Sequence, residues 1–226
     1  MKHEDQQKIW DREHSKPTVL LQMDSDDASS GVKKFWEWLD AYDVLRETGI
    51  EMGCGKGRNV IWLAKQGIAM SGFDFSPAAI EEAKRRATDV PNASFQVADA
   101  TQRWPYDDAS FDFGIDCFAS TDIESPEGRQ AAIAELRRVL KPGGLLLAYL
   151  LSTDDEFHKE MVQSSPAHER NVFLHPTGKF EKIYDEQDIA ELFGDWEVAA
   201  KERIPKTATF GDKEYACNHF WLVLRK

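Results

Sequence analysis

Three glycines at alternate positions, Gly53, Gly55 and Gly57, interrupt the run Ile50-Glu51-Met52-Gly53-Cys54-Gly55-Lys56-Gly57-Arg58-Asn59, where an apolar strand end gives way to a helical pattern. A glycine turn after a strand leaves bare backbone, so a ligand reaches N–H groups that any Cβ would screen. The next apolar run, Ile68 to Phe73, closes on a carboxylate, Asp74, 23 residues beyond Glu51. That separation fits one strand-helix-strand unit, and an acid at its second strand end is placed to accept two hydrogen bonds from ribose hydroxyls. Turn and acid together predict a nucleotide-cofactor site that binds adenosine. Asp99 and Ala100, after the following apolar run, fall where an adenine edge would lie, with Asp99 accepting from the exocyclic amine and Ala100 offering its N–H. Phe75 is placed to pack on the ring.

In a dinucleotide site the third glycine of G-x-G-x-x-G lets the helix pack tightly on the strand. Here Arg58 holds that slot. The spacing G-x-G-x-G instead suits a ligand with a carboxylate and an ammonium beside the turn, with Glu51 balancing the ammonium. S-adenosylmethionine carries those groups. An NAD-dependent oxidoreductase is the rival reading, since the turn and Asp74 serve either cofactor, and a protein that binds S-adenosylmethionine without transferring its methyl group is a third.

The elements that must position these residues alternate along the chain. From Ile50 onward, short apolar runs alternate with helical patterns, the signature of strand-helix crossovers and a mainly parallel sheet covered on both faces. A helix over about 59–66 presents Val60, Ile61, Leu63 and Ala64 and stops at Gly67. Ser76-Pro77 and Ser125-Pro126 each supply a cap followed by proline at the first helical position. Strands about 93–98 and 111–115 end at Asp99 and Asp116, and Lys141-Pro142-Gly143-Gly144 predicts a turn before the buried strand Leu145 to Leu151. Asp185 caps a helix bearing Ile189, Leu192 and Phe193, and two further strands cover about 196–203 and 215–225. Residues 1–47 read as an amino-terminal helical extension, with Val32, Phe35, Trp36 and Leu39 at helical spacing behind Ser30 as cap. Residues 48–226 form the main domain, and 152–184, with only a short helix around Phe157 and Met161, reads as a lid-like insertion.

On Glu51-Met52-Gly53-Cys54-Gly55-Lys56-Gly57, Gly72-Phe73-Asp74-Phe75-Ser76, Val97-Ala98-Asp99-Ala100, Phe111-Asp112 and Leu140-Lys141-Pro142-Gly143-Gly144, the chain resembles the class I S-adenosylmethionine-dependent methyltransferases over residues 50 to about 151. The resemblance implies an α/β, Rossmann-like, seven-stranded, mainly parallel sheet of order 3-2-1-4-5-7-6, with strand seven antiparallel and helices on both faces. It implies that Glu51, Gly53, Gly55 and Gly57 contact the methionine part, Asp74 the ribose, Asp99 and Ala100 the adenine, and Asp116, Cys117 and Phe118 the region beside the methyl group. Cys54, Asn59, Phe75 and Ser76 are counted in the same cofactor-binding set. The family's Asp/Asn-Pro-Pro-aromatic tetrapeptide for planar amino groups of bases is absent, since Asp116 is followed by Cys117-Phe118-Ala119. A small-molecule methyl acceptor is the expected partner.

Composition narrows the partners. A net charge of −12 repels a phosphate backbone, so no nucleic acid is expected. No apolar run is long enough to span a bilayer, so no membrane is expected and cytoplasmic residence is the default. The three cysteines, Cys54, Cys117 and Cys217, form no C-x-x-C pair and leave an odd thiol, so neither a disulfide framework nor a metal site is expected. Methyl transfer from a sulfonium is an in-line displacement in which alignment does most of the work, so a general base is optional. Candidate bases are Asp116, His175 and His219, with His158 and His168 behind them. His219 lies on the alternation Tyr215, Cys217, His219, Trp221, Val223, which also fits a half-buried, hydrogen-bonded strand histidine. His175, Lys179 and Lys182 are placed to surround an anionic substrate, and Trp10 to close over the cofactor.

Overall fold

A computed structural model describes residues 3–15, 25–164, 169–175, 178–210 and 212–226. Two helices, α1 (His3–Ser15) and α2 (Ser30–Ala41), precede the sheet. Strands β1 (Thr48–Met52), β2 (Ala69–Asp74), β3 (Ala93–Val97), β4 (Phe111–Cys117) and β5 (Leu140–Leu151) run parallel. Helices α3 (Arg58–Lys65), α4 (Pro77–Arg86) and α5 (Pro126–Val139) make the crossovers. After α6 (Glu156–Ser164), a small antiparallel pair β6 (Val172–Leu174) and β7 (Phe180–Lys182), and α7 (Glu186–Phe193), the chain returns as the hairpin β8 (Glu197–Phe210) and β9 (Lys213–Arg225). The main sheet has the order β3-β2-β1-β4-β5-β9-β8, with β9 antiparallel to both neighbours. This is the expected order 3-2-1-4-5-7-6, renumbered because β6 and β7 form a separate sheet.

Strand periodicity divides the core into two layers. Leu145, Leu147 and Tyr149 of β5 pack with Trp221 and Val223 of β9 beneath α2, α3 and α4. Their neighbours Leu146, Ala148 and Leu150 pack with Phe220, Leu222 and Leu224 on the opposite face, beneath α5 and α7. Helix α2 is capped by Ser29, one residue earlier than expected, and buries Val32, Phe35 and Leu39, each a side chain that contributes roughly 1.5–3 kcal/mol on burial. It lies so close to the sheet that a Cβ on Gly31 would sit 2.5 Å from the Tyr149 ring. The Trp221 indole N–H donates to the Gly31 carbonyl at 2.9 Å.

Four local features differ from the sequence expectations. Helix α1 has no expected counterpart, because its few apolar side chains, Ile9 and Trp10 among them, set no period. Lys141–Gly144 is a bulge within β5 rather than a turn before it, since Leu140 already pairs with Phe111 and the register shifts before Leu145 pairs with Phe113. The β6–β7 pair lies inside the stretch read as lacking periodicity, its strands being three residues each, too short for alternation to register. Strand β8 runs well beyond the expected 196–203, to Phe210, through polar residues that hid the strand pattern, while β9 begins at Lys213, slightly before the expected 215–225.

Candidate cofactor site

Strand order reverses between β1 and β4, and open α/β sheets bind ligands in the crevice beyond the carboxyl ends of strands at such a point. Glu51 and Asp116 stand there on adjacent strands, where Met52 pairs with Asp116. The Glu51 carboxyl is buried; one oxygen accepts the Asn59 amide at 2.6 Å, and the other has no partner. Burial pushes Glu51 up to about 8, against the pull of the Asn59 hydrogen bond. Asn59 in turn accepts the Ser29 N–H at 2.8 Å, tying the start of α3 to the cap of α2. Asp116 accepts the Ser120 N–H at 3.0 Å with one oxygen, leaves the other buried and unpartnered, and is pushed up to about 6 by burial.

The glycine turn divides its duties. Gly53, Gly55 and Gly57 all have positive φ, at 61°, 52° and 81°. A Cβ on Gly53 would meet that of Ala119 at 2.5 Å, and one on Gly57 would meet the Phe95 ring at 2.8 Å. Gly57 thus carries out the tight helix packing that a third dinucleotide-site glycine performs elsewhere, in the left-handed cap of α3. Cys54 turns its thiol toward Gly72 and Val60 in the core, and burial raises that thiol well above its ordinary value. Gly55 is the bare position over Asp74, its N–H donating to one Asp74 oxygen at 3.0 Å while the Ser76 N–H donates to the other at 2.9 Å.

Among the other expected residues, Ser76 is spent on structure: its hydroxyl caps α4 by accepting the Ala79 N–H and donates to Asp11 of α1 at 2.8 Å. Phe75 is half-buried, and its carbonyl accepts the Gln7 amide at 2.8 Å. Asp99 accepts the Thr101 N–H and hydroxyl at 2.9 and 2.8 Å, and the Ala100 carbonyl accepts the Trp104 indole N–H at 2.9 Å. Cys117 lies 3.4 Å from the Ser29 hydroxyl, and burial pushes its thiol up to about 11. Phe118, with φ at 67°, stacks between Tyr149 and His219.

Of the candidate bases, Asp116 stands in the crevice and His219 packs against Phe118 beside it. His219 contacts the Tyr149 hydroxyl through Nδ1 at 3.0 Å and faces Asp155 through Nε2 at 3.7 Å. Burial lowers it to about 4, so it is neutral near pH 7. His158 bonds the other Asp155 oxygen at 2.7 Å. His175 sits in the turn between β6 and β7, its N–H donating to the Lys179 carbonyl. His168 lies outside the described residues. The basic trio expected around an anionic substrate is dispersed: Lys182 is buried against Asp188 at 3.0 Å, and Lys179 pairs with Glu181 at 2.6 Å.

Two cavities flank this framework. One of about 190 Å³ opens beside Phe118 and Tyr149, with Ala28, Ser29, Arg58 and Lys206 in its walls. A second, of about 450 Å³, lies along the projecting part of the β8–β9 hairpin by Thr207 and Asn218. Neither lies over Asp74.

The donors fit S-adenosylmethionine. The unpartnered Glu51 oxygen is an acceptor for an ammonium, Asp74 retains lone pairs for a diol, and Gly55 adds no side chain of its own beneath the His14 ring. Residues 50–144 match the model of a methyltransferase domain family. A demethylmenaquinone methyltransferase of Beutenbergia cavernae is 33% identical over 132 residues, covering 57% of this chain and 52% of the relative. The segment that carries the glycine turn, Asp74, Asp99 and Asp116 is thus similar to a methyltransferase domain. An S-adenosylmethionine-dependent methyltransferase from Methanosarcina mazei shares the fold at a TM-score of 0.73 and 23% identity, covering 88% of this chain and 98% of that one. A 1,6-didemethyltoxoflavin-N1-methyltransferase of Burkholderia thailandensis, solved with S-adenosylhomocysteine, shares it at 0.65 and 15%, covering 87% and 78%. The chain spans between about a third and a half of the length of the first curated relatives it matches.

Sequence reasoning missed the side chains that α1, Thr121 and Asp122 bring beside the crevice and that Tyr149 and Lys206 bring to the cavity next to it. Thr121 and Asp122 carried a faint signal, lying just beyond the strand end at Asp116. The others reach the crevice by packing across the sheet, which leaves no local trace.

Proposed function

We propose that the protein transfers a methyl group from S-adenosylmethionine to a small-molecule acceptor by in-line displacement. The observation that carries this reading is the unpartnered, buried Glu51 oxygen beside the bare Gly53–Gly57 turn, across the crevice from Asp74. When bound, the cofactor supplies an electrophilic methyl group on a sulfonium. Glu51 would hold the ammonium, Asp74 the ribose hydroxyls, and the Asp99–Ala100 backbone the adenine edge. Asp116, Cys117 and Phe118 would border the methyl group, and the cavity of about 190 Å³ beside Phe118 would receive the acceptor. Holding two reactants in line supplies about 7–11 kcal/mol of barrier reduction, so the rigid strand ends that fix Glu51 and Asp116 are the chain's main catalytic asset.

His219, neutral and bound to Tyr149, serves the fold in this reading, and no residue is assigned as a general base. Residues 1–47 act as a cap, and the segment 152–184, with α6 and the β6–β7 pair, as a lid. A cytoplasmic role without nucleic acid is supported by the net charge of −12, by three unpaired thiols, and by the described residues containing no helix long and apolar enough to cross a membrane. Calorimetric titration with S-adenosylhomocysteine and with NAD tests the donor, and binding of NAD alone would overturn the reading. Transfer of labelled methyl across a panel of small metabolites tests the acceptor class.

A further inference from the structure

Buried polar atoms without a hydrogen-bond partner gather around the cofactor crevice, and two of them come from helix α1. Besides Glu51 and Asp116, the described residues place the His14 ring nitrogen Nδ1, the Trp10 indole nitrogen, the Thr121 hydroxyl and one Asp122 oxygen in this state. These groups form one neighbourhood. His14 feels the charge of Asp74 more strongly than any other, and Asp122 feels both Asp74 and Asp116. The Trp10 and His14 rings lie 5.8 Å apart. The His14 ring carbon Cε1 stands 3.3 Å from where a Cβ on Gly55 would be, directly over the backbone that donates to Asp74. A buried polar group left unpaired is costly, and four such groups flanking one crevice mark the outline of a polar ligand.

Helix α1 is fastened on both sides of that crevice. On the α4 side, Asp11 accepts the Ser76 hydroxyl at 2.8 Å and the Ala78 N–H at 3.0 Å, and Gln7 donates to the Phe75 carbonyl. On the other side, Gln6 donates to the Gly178 carbonyl at 3.0 Å and accepts the Phe180 N–H at 3.3 Å, while the Lys179 ammonium lies 4.6 Å from the Trp10 ring centre. A segment that merely plugged the crevice would give up the cap it provides to α4 each time a ligand arrived. A wall would keep those bonds and gain partners for its own orphaned atoms.

We propose that helix α1 is one wall of the cofactor site and that His14 hydrogen-bonds the ribose hydroxyls held by Asp74. The proposal rests on the crevice being an S-adenosylmethionine site. A hydroxyl both donates and accepts, so it satisfies the imidazole Nδ1 whichever ring nitrogen carries the proton. Trp10 closes the wall toward β7, and the amino-terminal extension thereby becomes part of the binding surface.

Calorimetric titration of the full chain with S-adenosylhomocysteine tests this with the parent protein, His14→Ala and His14→Gln. The expected result is an affinity loss of about tenfold in His14→Ala, largely restored in His14→Gln, whose amide can still bond a hydroxyl. Equal or tighter binding by His14→Ala would overturn the proposal and leave the cofactor reading intact, whereas no binding by the parent protein would remove both. Hydrogen exchange of the parent protein gives a readout that needs no variant. Slower exchange of the α1 amides on adding S-adenosylhomocysteine is expected of a wall, and faster exchange, the mark of an expelled plug, would overturn it.

Discussion

The crevice between β1 and β4 and the polar cluster where Leu151 of β5 pairs with His219 of β9 both bury carboxyls, yet hold them in opposite electrostatic states. In the crevice, Glu51 and Asp116 each leave an oxygen buried and bare, and both carboxyls are pushed up. In that cluster, one Asp155 oxygen bonds His158 while the other has no hydrogen-bond partner and faces His219 at 3.7 Å, and the carboxyl is held below its ordinary value by the bonds from His158. Lys182, Arg129 and Asp188 nearby in the fold are likewise paired, Arg129 with Glu169 and Lys182 with Asp188. Buried acids pushed up mark the candidate binding site, and a buried acid held down by its histidine marks the scaffold.

The sharpest way to break this contrast is to remove the ribose acid. Asp74→Ala is expected to weaken S-adenosylhomocysteine by about 100-fold or more in calorimetry, as the loss of two charge-assisted hydrogen bonds requires. Unchanged affinity would dissolve the distinction between the two regions. In the scaffold, Lys182→Ala removes one of the two cations on Asp188, leaving Arg170 and Asn171 bonded to it, and is expected to cost about 1–2 kcal/mol in denaturant unfolding while the cofactor affinity stays put.

Glu51 adds a pH dependence of defined sign. Its carboxyl binds a proton more tightly in the folded protein than in the unfolded chain, so its contribution to stability is full below about pH 4.5 and declines as the pH rises through about 8. An arriving ammonium favours the ionised form, so binding should release a proton and affinity should rise between about pH 6 and 8. Glu51→Gln is expected to lose about tenfold in affinity and to flatten that rise, measured by titration in buffers of different ionisation enthalpy. The smallest effect belongs to Tyr149→Phe, which removes one hydrogen bond to His219 and should lower stability by about 1 kcal/mol with no change in cofactor binding.

The parallel sheet was legible because its strands are short apolar runs that end in acids, and because serine-proline pairs mark two helix starts. The same logic located Glu51, Asp74, Asp99 and Asp116, which are strand-end residues in sequence and in space. Helix α1 was not legible. Its binding face is polar, Gln6, Gln7, Asp11 and His14, and its partners lie on α4 and the β6–β7 pair, so no local period announces it. Gly57 was read as a ligand contact from its motif, but its conformation and the Phe95 ring behind it show a packing duty that spacing alone does not reveal. The lysines of 179–182 were read by charge, and their buried carboxylate partners come from residues whose proximity only the fold supplies.

The β8–β9 hairpin outruns the sheet it completes. Strand β9 pairs with β5 only from His219 to Arg225, while its first residues, from Lys213 to Asn218, pair with β8 alone. Lys206, in the wall of the cavity beside Phe118, sits on that projecting length, which α6 braces: Glu156 accepts the Ala216 N–H at 2.9 Å and the Phe157 ring meets that of Tyr215. An arm held by its own pairing and by one helix, rather than by the sheet, can change its side chains without moving the strand that carries Asp116. Replacement there would alter the cavity wall and leave the crevice at Asp116 in its present form.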